Sequence, residues 1–317
     1  MPAWLVLMPA LQCMANFVLI GVCILAGYLL QKFSSLSADA YKGVNAWIIN
    51  LALPAVSFKY LPHIHWTKDL LLPALMPVMI WLCSWIAVSI YASARKLDHY
   101  TKAGLRLTTG LCNTSFVGFP LIIAYFGAQH LSIGVIADQV TFMLLSTAGI
   151  IVAIRASGNE QTSAISIIKK VISFPPFVAC IASLVLPSFV DLSPLNEVFD
   201  KLAATIGPLA LFSIGLQIKF DGWRNELPHL GFALIFKLLF APALVFALVM
   251  ISGIKNNIAN ITVFESAMPP FLTSGIIATQ YHLNAKLCNL VIGVGILLSF
   301  VSTAIWHWLI ITYIYPQ

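Results

Sequence analysis

Residues 107–120 read Leu-Thr-Thr-Gly-Leu-Cys-Asn-Thr-Ser-Phe-Val-Gly-Phe-Pro, a polar interruption inside a long apolar stretch. Its centre carries small and polar residues, namely Asn113, Thr114, Ser115 and Gly118, and Pro120 follows them. Proline has no backbone N–H and crowds the carbonyl four residues earlier. In lipid, a helix break persists only where the freed backbone groups are packed in protein or line a wet cavity. The stretch therefore predicts a broken membrane helix.

A second interruption occurs late in the chain, where residues 265–270 read Glu-Ser-Ala-Met-Pro-Pro. Two adjacent prolines do not fit an uninterrupted helix. One broken helix in each half of a chain is typical of a secondary transporter whose site lies at the bilayer midplane.

The composition places the chain in a membrane. It has 317 residues, of which 60% are hydrophobic and 9% are charged, and its mean hydropathy is +0.94. These values exclude a soluble globular protein and indicate a polytopic membrane protein in contact with the lipid bilayer. The net charge of +6 comes from scattered basic residues without a dense aromatic-rich patch, so no nucleic-acid partner is expected.

Neither a metal site nor an enzyme is predicted. The six cysteines form no C-x-x-C pair and lie in apolar stretches, where cysteine packs as a small apolar residue. The pair His63 and His65 has no third ligand nearby. No G-x-S-x-G, H-E-x-x-H or P-loop pattern occurs, so no catalytic residues and no cofactor are assigned.

Runs of about 20 apolar residues predict membrane spans. Ten such runs occur, at 8–31, 42–61, 69–94, 102–126, 131–155, 165–187, 194–218, 227–252, 257–281 and 286–313. One alternating set of loops holds twelve Lys and Arg residues, the opposite set holds four, and Lys237 lies inside a span. Since cytoplasmic loops accumulate these residues, both termini are expected outside the cytoplasm.

With ten spans, residues 1–155 and 165–317 would form two five-helix repeats of opposite orientation. A consistent offset of 154 residues supports this inverted repeat. It relates Pro54 to Pro208, and the Ile-Ile-Ala at 122–124 to the same word at 276–278.

Both breaks suit an anion. A helix that restarts exposes unpaired N–H groups and a partial positive charge, so the segments after Pro120 and Pro270 are candidate anion sites. Asn113, Thr114 and Ser115 would add neutral hydrogen bonds to a carboxylate. The alternative is a proline kink satisfied by a neighbouring helix.

Three of the ionisable residues inside predicted spans are candidates for a functional role. Glu265 and Asp138 are candidates for binding a coupling Na⁺ or H⁺, or for a structural ion pair. Lys237 is too far from either interface to reach water with its side chain. It would attract the substrate anion or pair with a carboxylate.

These motifs resemble the auxin efflux carrier family, which includes the plant PIN-FORMED exporters and bacterial carboxylate permeases. Residues 113–121 are similar to the family's fourth-span pattern N-T-x-x-x-G-x-P-L. Further similarity covers the second, seventh, eighth and ninth spans, at 43–58, 210–216, 237–243, and 267–271 with 278–281. The plant proteins have arginine at the position of Lys237.

The resemblance implies ten spans in which helices 4 and 9 cross at Pro120 and Pro269. It also implies a homodimeric scaffold of spans 1, 2, 6 and 7, against which spans 3–5 and 8–10 move as an elevator. By position, Asn113 would bind the substrate carboxylate and Ser57 would line the scaffold side. The remaining candidate binding residues are Thr114, Ser115, Gly118 and Pro270.

The central loop, 156–163, lacks the long insert of the plant exporters, so the resemblance indicates a prokaryotic member in the cell inner membrane. The sequence thus predicts a secondary active transporter of a small organic anion, carboxylate or auxin-like. The alternatives are a sodium-coupled symporter of bile-acid type, a transporter-like ligand sensor, and a channel.

Overall fold

The computed structural model describes residues 3–33, 36–37, 39–63, 67–158, 165, 169, 172–173, 175–217 and 226–314, with side chains from Val18 onward. All regular structure in these ranges is helical, and the only β feature among them is an isolated bridge between Cys112 and Pro270. The predicted all-α fold is confirmed. His65 lies outside the described residues.

The α-helices of the described ranges follow one another with short joints. They are α1 Ala3–Phe33, α2 Ala40–Trp47, α3 Leu53–Tyr60, α4 Leu71–Arg95, α5 His99–Gly110, α6 Phe119–Phe126, α7 Leu131–Leu144, α8 Ile150–Ser157, α9 Pro175–Val185, α10 Asn196–Ala204, α11 Ile206–Gln217, α12 Leu227–Ile235, α13 Ala241–Ser252, α14 Asn257–Ser266, α15 Leu272–Gln280 and α16 Ala285–Tyr313.

Within the part of the chain that the structure describes, five continuous helical stretches are long and apolar enough to cross a membrane. They span Lys68–Arg95, Ala128–Ser157, Ser193–Gln217, Leu227–Ser252 and Ala285–Tyr313. Shorter apolar helices cover Val18–Phe33, Thr114–Phe126 and Pro175–Ser188. The chain is therefore a polytopic membrane protein, while the count of ten spans and the inverted repeat stay predictions.

The chain divides into two compact units, each formed by separate pieces of sequence. The first consists of Met1–Ile64, Ser115–Ser132 and Val178–Ile218. The second, called the crossover unit below, consists of His65–Thr114, Ile133–Phe177 and Lys219–Gln317. The predicted assignment of spans to a scaffold and a transport domain stays a prediction.

In the first unit, α1 and α11 approach each other through glycines. A Cβ atom on Gly27 would collide with the Phe212 carbonyl oxygen, and one on Gly215 would collide with that of Ile24. Small residues let membrane helices pack backbone to backbone, where dispersion replaces the hydrophobic effect as the driving force. These two positions therefore require glycine.

In the crossover unit, one apolar core gathers residues of α4, α5, α8, α15 and α16 with residues beside the breaks. A second core joins α4, α5, α12 and α16, and includes Val88, Leu105, Ala233 and Val291. The first of these cores includes Leu111 and Phe271, which belong to the two interrupted segments.

Three prolines inside helical stretches follow π-helical turns. The turns Ile48–Ala52, Thr114–Gly118 and Phe236–Phe240 each end two residues before a proline. A proline deprives the carbonyl four residues earlier of its partner. For Pro242 that carbonyl belongs to Leu238, and it accepts a hydrogen bond from Trp306 Nε1 at 2.9 Å. The wider turn and an outside donor let the helical stretch continue.

Candidate functional site

Two broken helices meet inside the crossover unit. Helix α5 ends at Gly110 and helical structure resumes at Thr114, whereas α14 ends at Ser266 and α15 begins at Leu272. The intervening segments pair antiparallel. The N–H of Asn113 donates to the Pro269 carbonyl at 2.8 Å, and the N–H of Phe271 donates to the Leu111 carbonyl at 3.1 Å. Each break therefore satisfies backbone groups that the other leaves open.

The first break lies earlier than the sequence predicted. Residues 111–113 are non-helical, while Pro120 is the second residue of α6 and follows the π-helical turn Thr114–Gly118. The prediction of a helix restart after Pro120 was wrong, because that turn accommodates the proline and the helix begins six residues before it. The second break lies at the double proline, as predicted.

A cluster of ionisable and polar side chains lies buried beside the crossing segments. Asn113, Thr114, Lys237 and Glu265 have no exposed surface, and Asp138 is 3% exposed. All five belong to the crossover unit. The sequence placed them up to 152 residues apart, so only the tertiary fold brings the carboxylates, the lysine and the broken segments together.

The hydrogen bonds of this cluster are specific. The Thr114 hydroxyl donates to Asp138 Oδ1 at 2.6 Å. Lys237 Nζ contacts Cys112 Sγ at 2.6 Å, and among the described residues Lys237 forms no salt bridge. Its predicted direct pairing with a carboxylate is therefore not observed among these residues, and Lys237 contacts the Cys112 thiol instead.

Glu265 differs from its neighbours. Neither of its carboxylate oxygens accepts a hydrogen bond from any described residue. The side chain nevertheless lies close enough to Asp138, Cys112 and Lys237 for their charges to act on it. A buried carboxylate without donors is costly, and such groups inside membrane proteins mark transport pathways and proton relays.

Comparison with known proteins agrees with this arrangement. The family model described as "Membrane transport protein", that of the auxin efflux carriers, matches residues 13–307. The chain belongs to this family. The predicted resemblance is confirmed, and the chain is a membrane transporter of the auxin efflux carrier family.

Several curated transporters are similar over nearly their whole length. An uncharacterized transporter of Methanocaldococcus jannaschii is 27% identical over 305 residues, covering 92% of this chain and 96% of the relative. A protein of Rhizobium meliloti named "Putative malonate transporter" is 23% identical over 290 residues, covering 87% and 89%. The Escherichia coli transporter YfdV is 22% identical over 300 residues, covering 90% and 93%. These names support a transporter rather than an enzyme.

The other predicted site residues of this auxin efflux carrier lie in the first unit. Ser115, Gly118 and Pro120 belong to its middle piece, and Ser57 lies in α3. The buried Ser57 hydroxyl donates to the Leu53 carbonyl at 3.3 Å, four residues earlier in its own helix. Their roles in substrate binding stay predictions.

Sequence reasoning missed Cys112 and Asn260. Cys112 was interpreted as a packing residue, although it precedes Asn113 inside the interrupted stretch and contacts Lys237. Asn260 is fully buried in α14, and neither atom of its amide group bonds to a described residue. For Asn260, the sequence signal that could have identified it is a single amide side chain within an apolar span. For Cys112, only its contact with Lys237 in the structure distinguishes it from a packing residue.

Proposed function

We propose that this protein is a secondary active transporter of a small organic anion, and that dicarboxylates of the size of malonate are its first candidate substrates. One observation carries the proposal. The paired broken segments hold Asn113 and two helix starts beside the buried ammonium group of Lys237. Broken helices of this kind form substrate sites in membrane transporters.

The electrostatics favour an anion over a cation or a neutral solute. Helical structure begins at Thr114 and at Leu272, and the first N–H groups of a helix carry a partial positive charge. Lys237 adds a full positive charge that the described residues do not neutralise with a salt bridge. An Asn113 amide would orient a carboxylate without adding charge.

The carboxylate class follows from the same chemistry and from one relative. A planar carboxylate accepts several N–H donors at once, which suits two helix starts and an amide. The Rhizobium meliloti relative bears a name that refers to malonate. We infer that the present chain binds a related short dicarboxylate.

We further propose an elevator mechanism in a homodimer, as the resemblance implies. Spans 3–5 and 8–10 would carry the bound anion across the membrane while spans 1, 2, 6 and 7 stay fixed. Most of the moving spans, except residues 115–132, fall in the compact crossover unit, and this supports the proposal because an elevator needs a body that moves without repacking its own core.

Uptake of radiolabelled malonate into proteoliposomes tests the function, with succinate, acetate and indole acetate as competitors. Asn113→Ala removes an amide that would bond to a charged group, which is worth about 1.5–3 kcal/mol, or about ten- to hundredfold in affinity. The matched control is Asn196→Ala, at an exposed position.

We expect Asn196→Ala to transport as the wild type does. Wild-type affinity in a folded Asn113→Ala variant would contradict the site. A ligand that stabilises the protein against heat without any flux would instead indicate a sensor, and flux far above that of a carrier would indicate a channel.

A further inference from the structure

The buried cluster of the crossover unit holds an unequal number of charges. It contains two carboxyl groups, of Asp138 and Glu265, and one ammonium group, of Lys237. With all three ionised, the cluster would carry a net negative charge at full burial. Isolated buried charges are strongly disfavoured, so ionisable groups in such places are paired or neutralised. One positive charge is missing from the cluster.

The hydrogen bonds indicate which carboxyl group is neutral. Asp138 accepts a bond from the Thr114 hydroxyl at 2.6 Å, which stabilises its ionised form. Glu265 accepts no bond from any described residue and is fully buried. Two carboxyl groups that share a site do not both ionise, and the one without donors keeps the proton.

A proton fits this cluster better than a metal cation. Hard cations such as Na⁺ need several oxygen ligands. The titratable groups that act on Glu265 are Asp138, the Cys112 thiol, whose sulfur is a soft ligand, and the Lys237 ammonium, which repels cations. A proton needs only one carboxylate oxygen.

Among the described residues, the other elements that pack against α14 bring no further charged group to Glu265. Helix α16 brings His307, whose ring lies 6.3 Å from that of Phe264. The turn before α4 brings Asp69, which accepts a bond from Asn256 at the opposite end of α14. Helix α4 carries Cys83, Tyr91 and Arg95, and α13 carries no ionisable side chain.

We propose that Glu265, with Asp138 beside it, is a proton-binding site, and that its proton is taken up together with the transported anion. A hydronium ion gives its proton to one Glu265 carboxylate oxygen and becomes water, and the same O–H bond breaks when the proton returns to a water molecule. The second part rests on the proposed anion transport. The first part does not, since the site exists without a substrate.

Charge explains why the proton and the anion bind together. An anion beside Asn113 and Lys237 would meet a net negative cluster when both carboxyl groups are ionised. With Glu265 protonated, Asp138 and Lys237 balance each other and the repulsion is removed. By linkage, the anion strengthens proton binding as much as the proton strengthens anion binding. Where Glu265 is ionised in the empty protein, affinity should fall about tenfold per pH unit.

Infrared spectroscopy of the purified protein tests the proton site without a substrate. We expect the carbonyl stretch of a protonated carboxyl group at pH 7, where exposed carboxyl groups are ionised. Glu265→Gln should remove this band. Glu197→Gln, the same change on an exposed side chain paired with Lys201, should retain it.

Three results would overturn the proton site. They are no such band in the wild type, an unchanged band in folded Glu265→Gln, and loss of the band when NaCl replaces choline chloride at constant pH. Glutamine has the shape of the protonated acid, so the variant should fold. Asp138→Asn gives a second readout, since removing its charge should shift the band.

Calorimetry of malonate binding, in two buffers of different protonation enthalpy, tests the coupling at two pH values, one where the infrared band shows Glu265 protonated in the empty protein and one where the band is lost. The wild type should take up no proton per malonate at the first pH and up to one at the second, and Glu265→Gln should take up none at either. Malonate binding without proton uptake at the second pH would contradict the coupling. Failure to bind malonate would contradict the proposed substrate, and the infrared band would still decide the proton site.

Discussion

The two helix breaks of the crossover unit have opposite origins. The second lies at Pro269 and Pro270, two residues that cannot donate backbone hydrogen bonds. The first, at residues 111–113, contains no proline, and the nearby Pro120 lies inside a continuous helical stretch. The second break is therefore local in cause, whereas the first depends on pairing with the second. At Pro120, unlike at Pro269 and Pro270, a wider turn lets the helical stretch continue.

The strongest test of this difference replaces Asn113 by proline. The change removes the N–H that donates to the Pro269 carbonyl and leaves a buried carbonyl unpaired. We expect a loss of about 3 kcal/mol or more in the free energy of unfolding, measured by thermal unfolding in detergent.

Asn113→Ala is the control for this substitution because it keeps the backbone bond. Its loss of stability should be smaller than that of Asn113→Pro, even though substrate affinity falls. Equal melting temperatures for Asn113→Pro and Asn113→Ala would show that the first break does not depend on the pairing.

A second test places a methyl group against the proline ring at the second break. A Cβ atom on Gly295 of α16 would lie 2.7 Å from Pro270 Cδ. Since the proline ring is rigid, we expect Gly295→Ala to destabilise the protein by about 1–3 kcal/mol. Gly21→Ala in α1 meets nothing within 4 Å and should be neutral or stabilising. Comparable losses in both variants would refute the role of close packing at Pro270.

A third test concerns a proline that a π-helical turn absorbs. Trp306→Phe deletes the donor to the Leu238 carbonyl, which Pro242 leaves without a helical partner. The expected cost is about 1–2 kcal/mol. The cost of Trp306→Phe should be smaller in the Pro242→Ala background, because the alanine restores a backbone N–H. A double-mutant cycle of melting curves measures the coupling between the two positions. Strictly additive changes in stability in the double variant would contradict this role of Trp306.

The smallest effect concerns the start of α5, the helix that leads to the first break. Asp98 caps it by accepting a bond from the Thr101 N–H at 2.9 Å. Partial burial raises the pKa of Asp98, but hydrogen bonds from Thr101 and Tyr100 outweigh it and lower the pKa overall. The stabilisation is therefore present above the unfolded-state pKa and is lost as pH falls through the lower folded-state value.

Asp98→Ala should cost about 1 kcal/mol at pH 7 and less in acid. Asp98→Asn keeps a capping side chain and should lose mainly this pH dependence. Melting temperatures of both variants from pH 3 to pH 7 provide the comparison. A constant difference between wild type and Asp98→Ala across this range would refute the carboxylate's role.

Much of the site was predictable from single residues. Four polar residues lie in apolar runs, namely Asn113, Glu265, Asp138 and Lys237. Polar and ionisable residues are energetically costly inside a membrane, so they indicate a functional site. Their number and chemistry predicted a transporter of anions. The sequence did not predict that Lys237 contacts Cys112, because a thiol among apolar residues has the pattern of ordinary packing.

The amino-acid sequence alone determined the membrane class, the helical fold, the second break and the family, since each depends on hydrophobicity or on proline stereochemistry. Tertiary structure decided the position of the first break, because Leu111 and Asn113 leave the helix to pair with Phe271 and Pro269. It also left Glu265 without a described donor while Asp138 received one from Thr114. Such partners come from distant helices, and their identity depends on packing rather than on spacing along the chain.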